Sequence, residues 1–322
     1  MALTRRQLIT AVAAGLASGT VLGQPSTKVV RFILPNAVGS GVDAITRAVQ
    51  PALASALGAS IVVDNQPGAG GIVGLQALAR SAPDGSTLSI VSNNVVIFPS
   101  VLKSVPFKIP DDFTPIAVLG NTPMVVVVNP SNVPAKNSNE FIALLKSKPG
   151  KLNYGSGGNG TILHLTSAQF LDEAQVTANH VPYKGVGPMV SDLIGGQIDF
   201  ATVALSSVQG QIAGGKLRAI GTATSKRIES APDIPTFVEQ GLAGFVAEAW
   251  FAALGPKGMS SGDVKRIHQA LVAAFNDSAV KEAMSKQGNT IRISTPEEAA
   301  VTFKSELDKY ARLVKKAGVE PT

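Results

Sequence analysis

The residues of this chain that could do chemistry are few, and several of them gather among glycines. The stretch Gly155-Ser156-Gly157-Gly158-Asn159-Gly160 fits G-x-G-x-x-G through Gly155, Gly157 and Gly160, the spacing that brings backbone amides onto a dinucleotide pyrophosphate. It also begins like a P-loop, but Thr161 stands where that loop needs lysine. The dinucleotide reading wants an acidic residue about twenty positions on, at a second strand end, to hold a ribose. Asp172 and Glu173 come too early and fall in a helical segment. What all these readings share is simpler physics. Glycines let N–H groups converge, and a helix start favours negative charge. Ser156, Asn159 and Thr161 add neutral donors. A carboxylate fits such a loop as well as a phosphate, and a plain turn with no ligand fits it too.

Other chemistries are poorly supplied. The three histidines, His164, His180 and His268, are scattered, with no H-E-x-x-H or other close ligand pair, so no metal site is expected. There is no cysteine, which excludes thiol catalysis and thiolate metal sites. "YGSGG" lacks the outer glycine of the G-x-S-x-G nucleophile elbow. A pairing of a serine with a distant histidine stays open.

The elements that must position these residues alternate. "VVRFILP" (29–35), "SIVVDN" (60–65) and "STLSIVSNN" read as strands, the last ending at Asn93 and Asn94. Between them lie "VDAITRAVQPALASAL" and a segment running to about Arg80, both helical in character. A Pro-rich connection (105–115) leads to the apolar strand "PMVVVVNP". Then follow a helix capped by Asn137 or Ser138, the strand before the Gly loop, and the helix "TILHLTSAQFLDEA". Strands at "TANHVPYKG", "QIDFATVAL" and "LRAIGTAT" and helices at "PMVSDLIGG" and "SSVQGQIAGG" continue the alternation. From Asp263 the chain is mainly helical: Val264, Ile267, Leu271 and Phe275 share one face, Thr295-Pro296-Glu297-Glu298 is a capping box, and Phe303, Leu307, Tyr310 and Val314 form a stripe. Repeated strand–turn–helix units predict an α/β fold with mainly parallel sheets, whose ligands sit at strand carboxyl ends. Gly-rich turns of that kind stand at 39–41, 68–71 and 155–160.

The N-terminus reads as an export signal. Arg5 and Arg6 precede an uncharged run from Leu8 to Leu22, too short to span a membrane, with a cleavage position near Gly23. The paired arginines also suit a twin-arginine signal. Removing residues 1–23 takes out two of the 28 basic residues and none of the 22 acidic ones, and no block of like charges remains, so nucleic acid is not an expected partner. Hydrophobic residues at 45% against 16% charged are enough for a substantial core, and 322 residues suggest two domains or one large one.

Taken in order, the motifs resemble one family, the tripartite tricarboxylate transporter substrate-binding proteins, also called Bug proteins. "VVDNQPGAGGIVGLQALARSAPDGSTL", "DDFTPIAVL", "PGKLNYGSGGNGTILHL", "HVPYKGVGPMVSDLIGGQID" and "APDIPTFVEQGL" are each similar to a segment of that family, over nearly the whole chain after the signal. "PNAVGSGVDAITR" is similar to its P-F-P-P-G-G-x-x-D-x-x-x-R segment, with Asp43 and Arg47 matching and Asn36, Ala37 and Val38 standing in place of Phe-Pro-Pro. The resemblance implies a two-domain periplasmic binding protein (type II-like, Venus flytrap) that is not an enzyme and needs no cofactor. Domain one would comprise 28–125 plus 252–322 and domain two 126–251, with crossing hinge strands at "VVVVNP" and "AEAWFAAL". It further implies a monomer that closes on a small carboxylate, a di- or tricarboxylate or an aromatic one, and then meets membrane transporter subunits or a sensor.

The ligand contacts expected on this reading are Asn36, Ala37, Gly39, Ser40, Asn93, Asn94, Thr122, Ser156, Gly157, Gly158, Asn159, Thr161, Tyr183, Lys184 and Thr202. Asp43 and His164 are expected to hold the cleft in shape rather than to touch ligand. The strand after Asp199 offers no acid to an amino group, which favours a carboxylate without an amine.

Overall fold

The computed structural model describes residues 28–316, 319 and 321. The export segment expected over 1–23 lies outside the described residues. Strands β1 (Val29–Leu34), β2 (Ser60–Asn65) and β3 (Thr87–Ser92) pair in parallel in the order β2-β1-β3. Helices α1 (Gly41–Leu57) and α2 (Ile72–Ala79) make the crossovers between them. The second set is built alike. Strands β7 (Phe200–Ala204), β5 (Asn153–Ser156) and β6 (Asn179–Pro182) are parallel, and α5 (Ile162–Glu173) and α6 (Val186–Ile194) are the crossovers.

Two antiparallel strands join the sets, β4 (Phe113–Val128) and β9 (Glu248–Pro256). The first part of β4, Phe113–Pro123, pairs with β9, which also pairs with β3. The second part, Met124–Val128, pairs with β7 and with β8 (Arg218–Thr222). Val125 to Val128 are completely buried, which explains an uninterrupted valine run in place of alternation. One strand of 16 residues, about 50 Å long at the usual rise, thus belongs to both sets.

This strand begins earlier than its sequence suggests. Pro115 and Pro123 make the stretch read as a connection, because proline cannot donate to a ladder. The structure accommodates Pro115 at a register shift, between Pro115 and Ala117, and Pro123 where β4 changes partners. The stretch after β3, which the sequence reading leaves unassigned, is a helix, α3 (Asn94–Val101), although it is rich in valine and isoleucine. Val95, Val96, Ile97, Phe98 and Val101 are all buried, so packing on every side overrides propensity.

The remaining helices are α4 (Ser138–Ser147), α7 (Leu205–Ala213), α8 (Ser261–Asn276), α9 (Ser278–Lys286) and α10 (Pro296–Lys316), with a short strand β10 (Thr290–Ile291) pairing with β4. Asn137 caps α4 through the Glu140 amide at 2.9 Å. The Thr295–Glu298 capping box forms in both directions, at 2.9 and 3.2 Å. One core cluster joins Phe32, Leu34, Ile45, Val49 and Leu53 to Ile267, Leu271 and Phe275, so α8 and α1 cover the first sheet. The other gathers Phe141, Phe170, Phe200, Phe237 and Phe245, with ring centroids 5.0–5.8 Å apart, and extends to Phe303, Tyr310 and Val314 of α10.

Candidate functional site

Between the carboxyl ends of the two strand sets lies a cavity of about 570 Å³. Its wall is made largely of helix beginnings. Ser40, Gly41 and Val42 open α1; Gly70 and Gly71 precede α2; Asn94 opens α3; Thr161, Ile162 and Leu163 open α5; Gly185 and Val186 open α6; Ala204 and Ser207 open α7. Each start carries backbone N–H groups and a partial positive charge. Among the described residues, Lys184 is the one basic side chain in the wall, and no aspartate or glutamate lines it. The floor comes from the joining strands, with Thr122 and Met124 of β4 and Ala249, Trp250 and Phe251 of β9. The chemistry offered is attraction for an anion, beside an uncharged surface for a carbon skeleton.

The loop before α1 is held from below. Ser40 caps the helix through the Asp43 amide, at 3.3 Å. The buried Asp43 carboxylate accepts from the Gly39 amide, Arg47 Nε and Asn65 Nδ2, each at 3.0 Å. Burial alone would raise the Asp43 carboxyl, but these hydrogen bonds and the Arg47 charge outweigh it and hold it below the ordinary carboxylate value. Gly39 adopts φ +80°, a backbone conformation that a residue with a side chain would resist. Asp43 thus ties Gly39, Arg47 and Asn65 together beneath the turn.

The glycine loop on the other side is tied by two histidines. Ser156 Oγ donates to the Gly158 carbonyl at 3.0 Å, so the hydrogen between it and His180 Nε2, 2.7 Å away, belongs to the imidazole. His164 Nδ1 accepts from the Gly160 amide at 3.1 Å. The two rings stack with centroids 3.8 Å apart. Burial pushes both down to about 4, helped at His164 by the neighbouring His180, so both are neutral at pH 7. The bond at His164 requires the neutral ring, because Nδ1 accepts there. The Ser156–His180 pair is thus a real contact between a serine and a distant histidine. It lies off the cavity wall and fixes the loop.

The structure brings Asn36, Ala37, Ser40, Asn94, Thr122, Gly157, Gly158, Thr161, Tyr183 and Lys184 to the cavity wall. It places the other expected contacts elsewhere. Gly39 is in the loop but turned away from the wall, bonded to Asp43. Asn93 is fully buried behind the wall and donates to Tyr310 Oη. Ser156 is buried beneath the loop. Asn159 is exposed outside it. Thr202 is buried on β7, where it accepts from Ser167 Oγ at 2.8 Å. The outward alternation of a strand and the single-residue turns of a glycine loop decide these placements, and neither can be read from spacing alone.

Some wall residues carry no signal in the sequence. Met124, Trp250 and Phe251 look like ordinary core, and Trp250 is indeed 7% exposed, with its Nε1 donating to Glu306 at 2.9 Å. Ser207 sits in an unremarkable helix start. Gly185 has φ +113°, and a Cβ there would lie 2.9 Å from Ala37 Cβ, so the two loops touch at this point. The walls touch again where Asn94 Oδ1 accepts from the Ile162 amide at 2.7 Å, and where a Cβ on Gly41 would meet Ala204 Cβ at 3.1 Å.

Comparison with known proteins agrees with this architecture. The family model described as tripartite tricarboxylate transporter family receptor matches residues 45–319. The protein BugT of Bordetella pertussis is 32% identical over 309 residues, covering 95% of this chain and 94% of that protein. A solved structure of a periplasmic transporter is 38% identical, with a TM-score of 0.87, over 92% of this chain and 99% of that one. The periplasmic binding protein BugD has a TM-score of 0.87 at 29% identity, over 93% and 100%. MatC from Rhodopseudomonas palustris, solved with bound malate, has a TM-score of 0.82 at 27% identity, over 90% and 100%. The chain belongs to the tripartite tricarboxylate transporter receptor family, periplasmic solute-binding receptors of two-domain α/β fold, and is a binding protein rather than an enzyme.

Proposed function

We propose that this protein captures one small organic carboxylate in the cavity between its strand sets and delivers it to membrane transporter subunits. The observation that carries this reading is the wall itself: six helix starts and Lys184 face one cavity whose lining, among the described residues, contains no acid. A carboxylate meets donors there, whereas a ligand ammonium would find no counter-charge. The malate bound to MatC supports the same class.

On this reading the chain is exported by its first 23 residues and acts as a monomer. Residues 28–125 with 252–322 form one domain and 126–251 the other, hinged at β4 and β9. The contacts of Asn94 with Ile162, Ala37 with Gly185 and Gly41 with Ala204 then all cross the cleft, and the geometry is that of a closed form. Ligand would shift the population toward it, because only the closed form surrounds the ligand. Isothermal titration of the chain from Gln24 onward against mono-, di- and tricarboxylates, aromatic carboxylates and amino acids tests the reading. Binding of a carboxylate is expected. Binding of amino acids alone, or of no carboxylate at all, would sink it.

A further inference from the structure

Helix α5 begins at the cavity wall, and two of its first amides are already occupied. Thr161 Oγ1 accepts from the His164 amide at 3.4 Å, a cap supplied by the adjoining residue. The Ile162 amide donates instead to Asn94 Oδ1, at 2.7 Å. Asn94 lies 68 residues earlier in the chain and opens α3, which follows β3 of the first strand set. Helix α5 follows β5 of the second set. One wall of the cavity thus caps a helix of the other.

Helix α3 is held firmly enough to present that side chain. Val95, Val96, Ile97 and Phe98 are buried. The Phe98 ring lies under the turn before α2, where a Cβ on Gly71 would stand 3.3 Å from it. Asn93, immediately before Asn94, is fully buried and donates to Tyr310 Oη. At the far end of α3, Val101 fills the space beside Gly160, where an added Cβ would overlap it. Both ends of α3 therefore meet the opposite wall, at Ile162 and at Gly160.

The Asn94 bond has a distinct energetic role. The Ile162 N–H is a donor, so the amide oxygen must face it. That oxygen stands at a helix start, where partial positive charge strengthens the bond. The bond joins protein to protein, so it favours the closed form equally for every ligand. Contacts to the ligand decide which carboxylate binds. A contact of wall with wall decides how tightly all of them are held.

Resting on the reading of a receptor that closes on a carboxylate, we propose that Asn94 is a latch, a positioning residue that holds the closed form without choosing the ligand. Asn94→Leu lacks the acceptor and Asn94→Asp keeps one. Small-angle X-ray scattering is recorded for both variants and the wild type without added carboxylate. Asn94→Leu should give a larger radius of gyration than the wild type, and Asn94→Asp should not. The wild type and Asn94→Leu are then titrated with malate, succinate, citrate and benzoate. Binding is followed by the fluorescence of Trp250, the single tryptophan of the chain and part of the cavity floor. Asn94→Leu should weaken every acid that the wild type binds by one common factor of roughly three to ten, the worth of one hydrogen bond. The order of the acids should not change, which also reports that the variant is folded. Losses that differ tenfold between acids would make Asn94 a ligand contact and overturn the latch. Scattering of Asn94→Leu that matches the wild type or Asn94→Asp would overturn it too. Failure of all four acids to bind the wild type counts against the carboxylate reading, while the scattering still decides the latch.

Discussion

Acidification should loosen the glycine loop before it unfolds the rest of the receptor. His164 and His180 are neutral in the folded protein because both are buried, and each holds one end of the loop, through Gly160 and Ser156. The fall from 6.5 to about 4 at His164 means that the unfolded chain binds more protons between those pH values. The stabilisation is therefore complete above pH 6.5, declines as the pH falls, and is gone near pH 4. At roughly 1.4 kcal/mol per unit, His164 alone contributes up to about 3 kcal/mol at pH 7. In a chain of this size that corresponds to roughly 5–10 °C in Tm. The perturbation to make is His164→Asn, which keeps an acceptor for the Gly160 amide and cannot titrate. Urea midpoints at pH 7.5 and 4.5 should fall steeply for the wild type and less steeply for the variant, with the carboxylates common to both cancelling in the difference. Parallel losses in the two proteins would refute the assignment of this pH dependence to the histidine pair.

Three further outcomes follow from the geometry. Lys184→Gln removes the one charged side chain of the wall; carboxylate affinity should fall by roughly three- to tenfold, as for an exposed charge, and its salt dependence should flatten, read by titration at two ionic strengths. Gly160→Ala places a Cβ 2.4 Å from Val101 at a residue with φ +67°, and should destabilise by about 2–4 kcal/mol in urea unfolding, with Val101→Ala in the same chain restoring part of the loss. Tyr310→Phe takes from the fully buried Asn93 its hydrogen-bond partner and should cost about 1–3 kcal/mol by the same measurement, while carboxylate affinity changes little.

Much of this architecture is legible in sequence because local signals and tertiary demands agree. The strand–turn–helix alternation, the caps at Asn137 and Thr295 and the apolar faces of α8 and α10 are all set by neighbours within a few residues. What the sequence left unread has the opposite origin. α3 is helical because α10 and the sheet bury it, and Phe113–Pro123 is a strand because β9, more than a hundred residues away, pairs with it. The site divides in the same way. Loop residues such as Ser40, Gly157 and Thr161 announce themselves by glycine and hydroxyl spacing. Trp250 and Phe251 reach the cavity only because β9 returns to lie between β3 and β4. Asn93 and Thr202 miss it because neighbours on α10 and α5 take their polar groups first.

The shared strand β4 also sets an order of assembly. Phe113 pairs with Pro256, so the edges of β3 and β4 stay bare until the chain has grown about 140 residues further, on the order of ten seconds at ordinary synthesis rates. During that interval the receptor carries two exposed, apolar strand edges, each a template for pairing with another chain. The same placement of β9 that later gives the cleft a common floor leaves these two edges of the newborn chain open until β9 arrives.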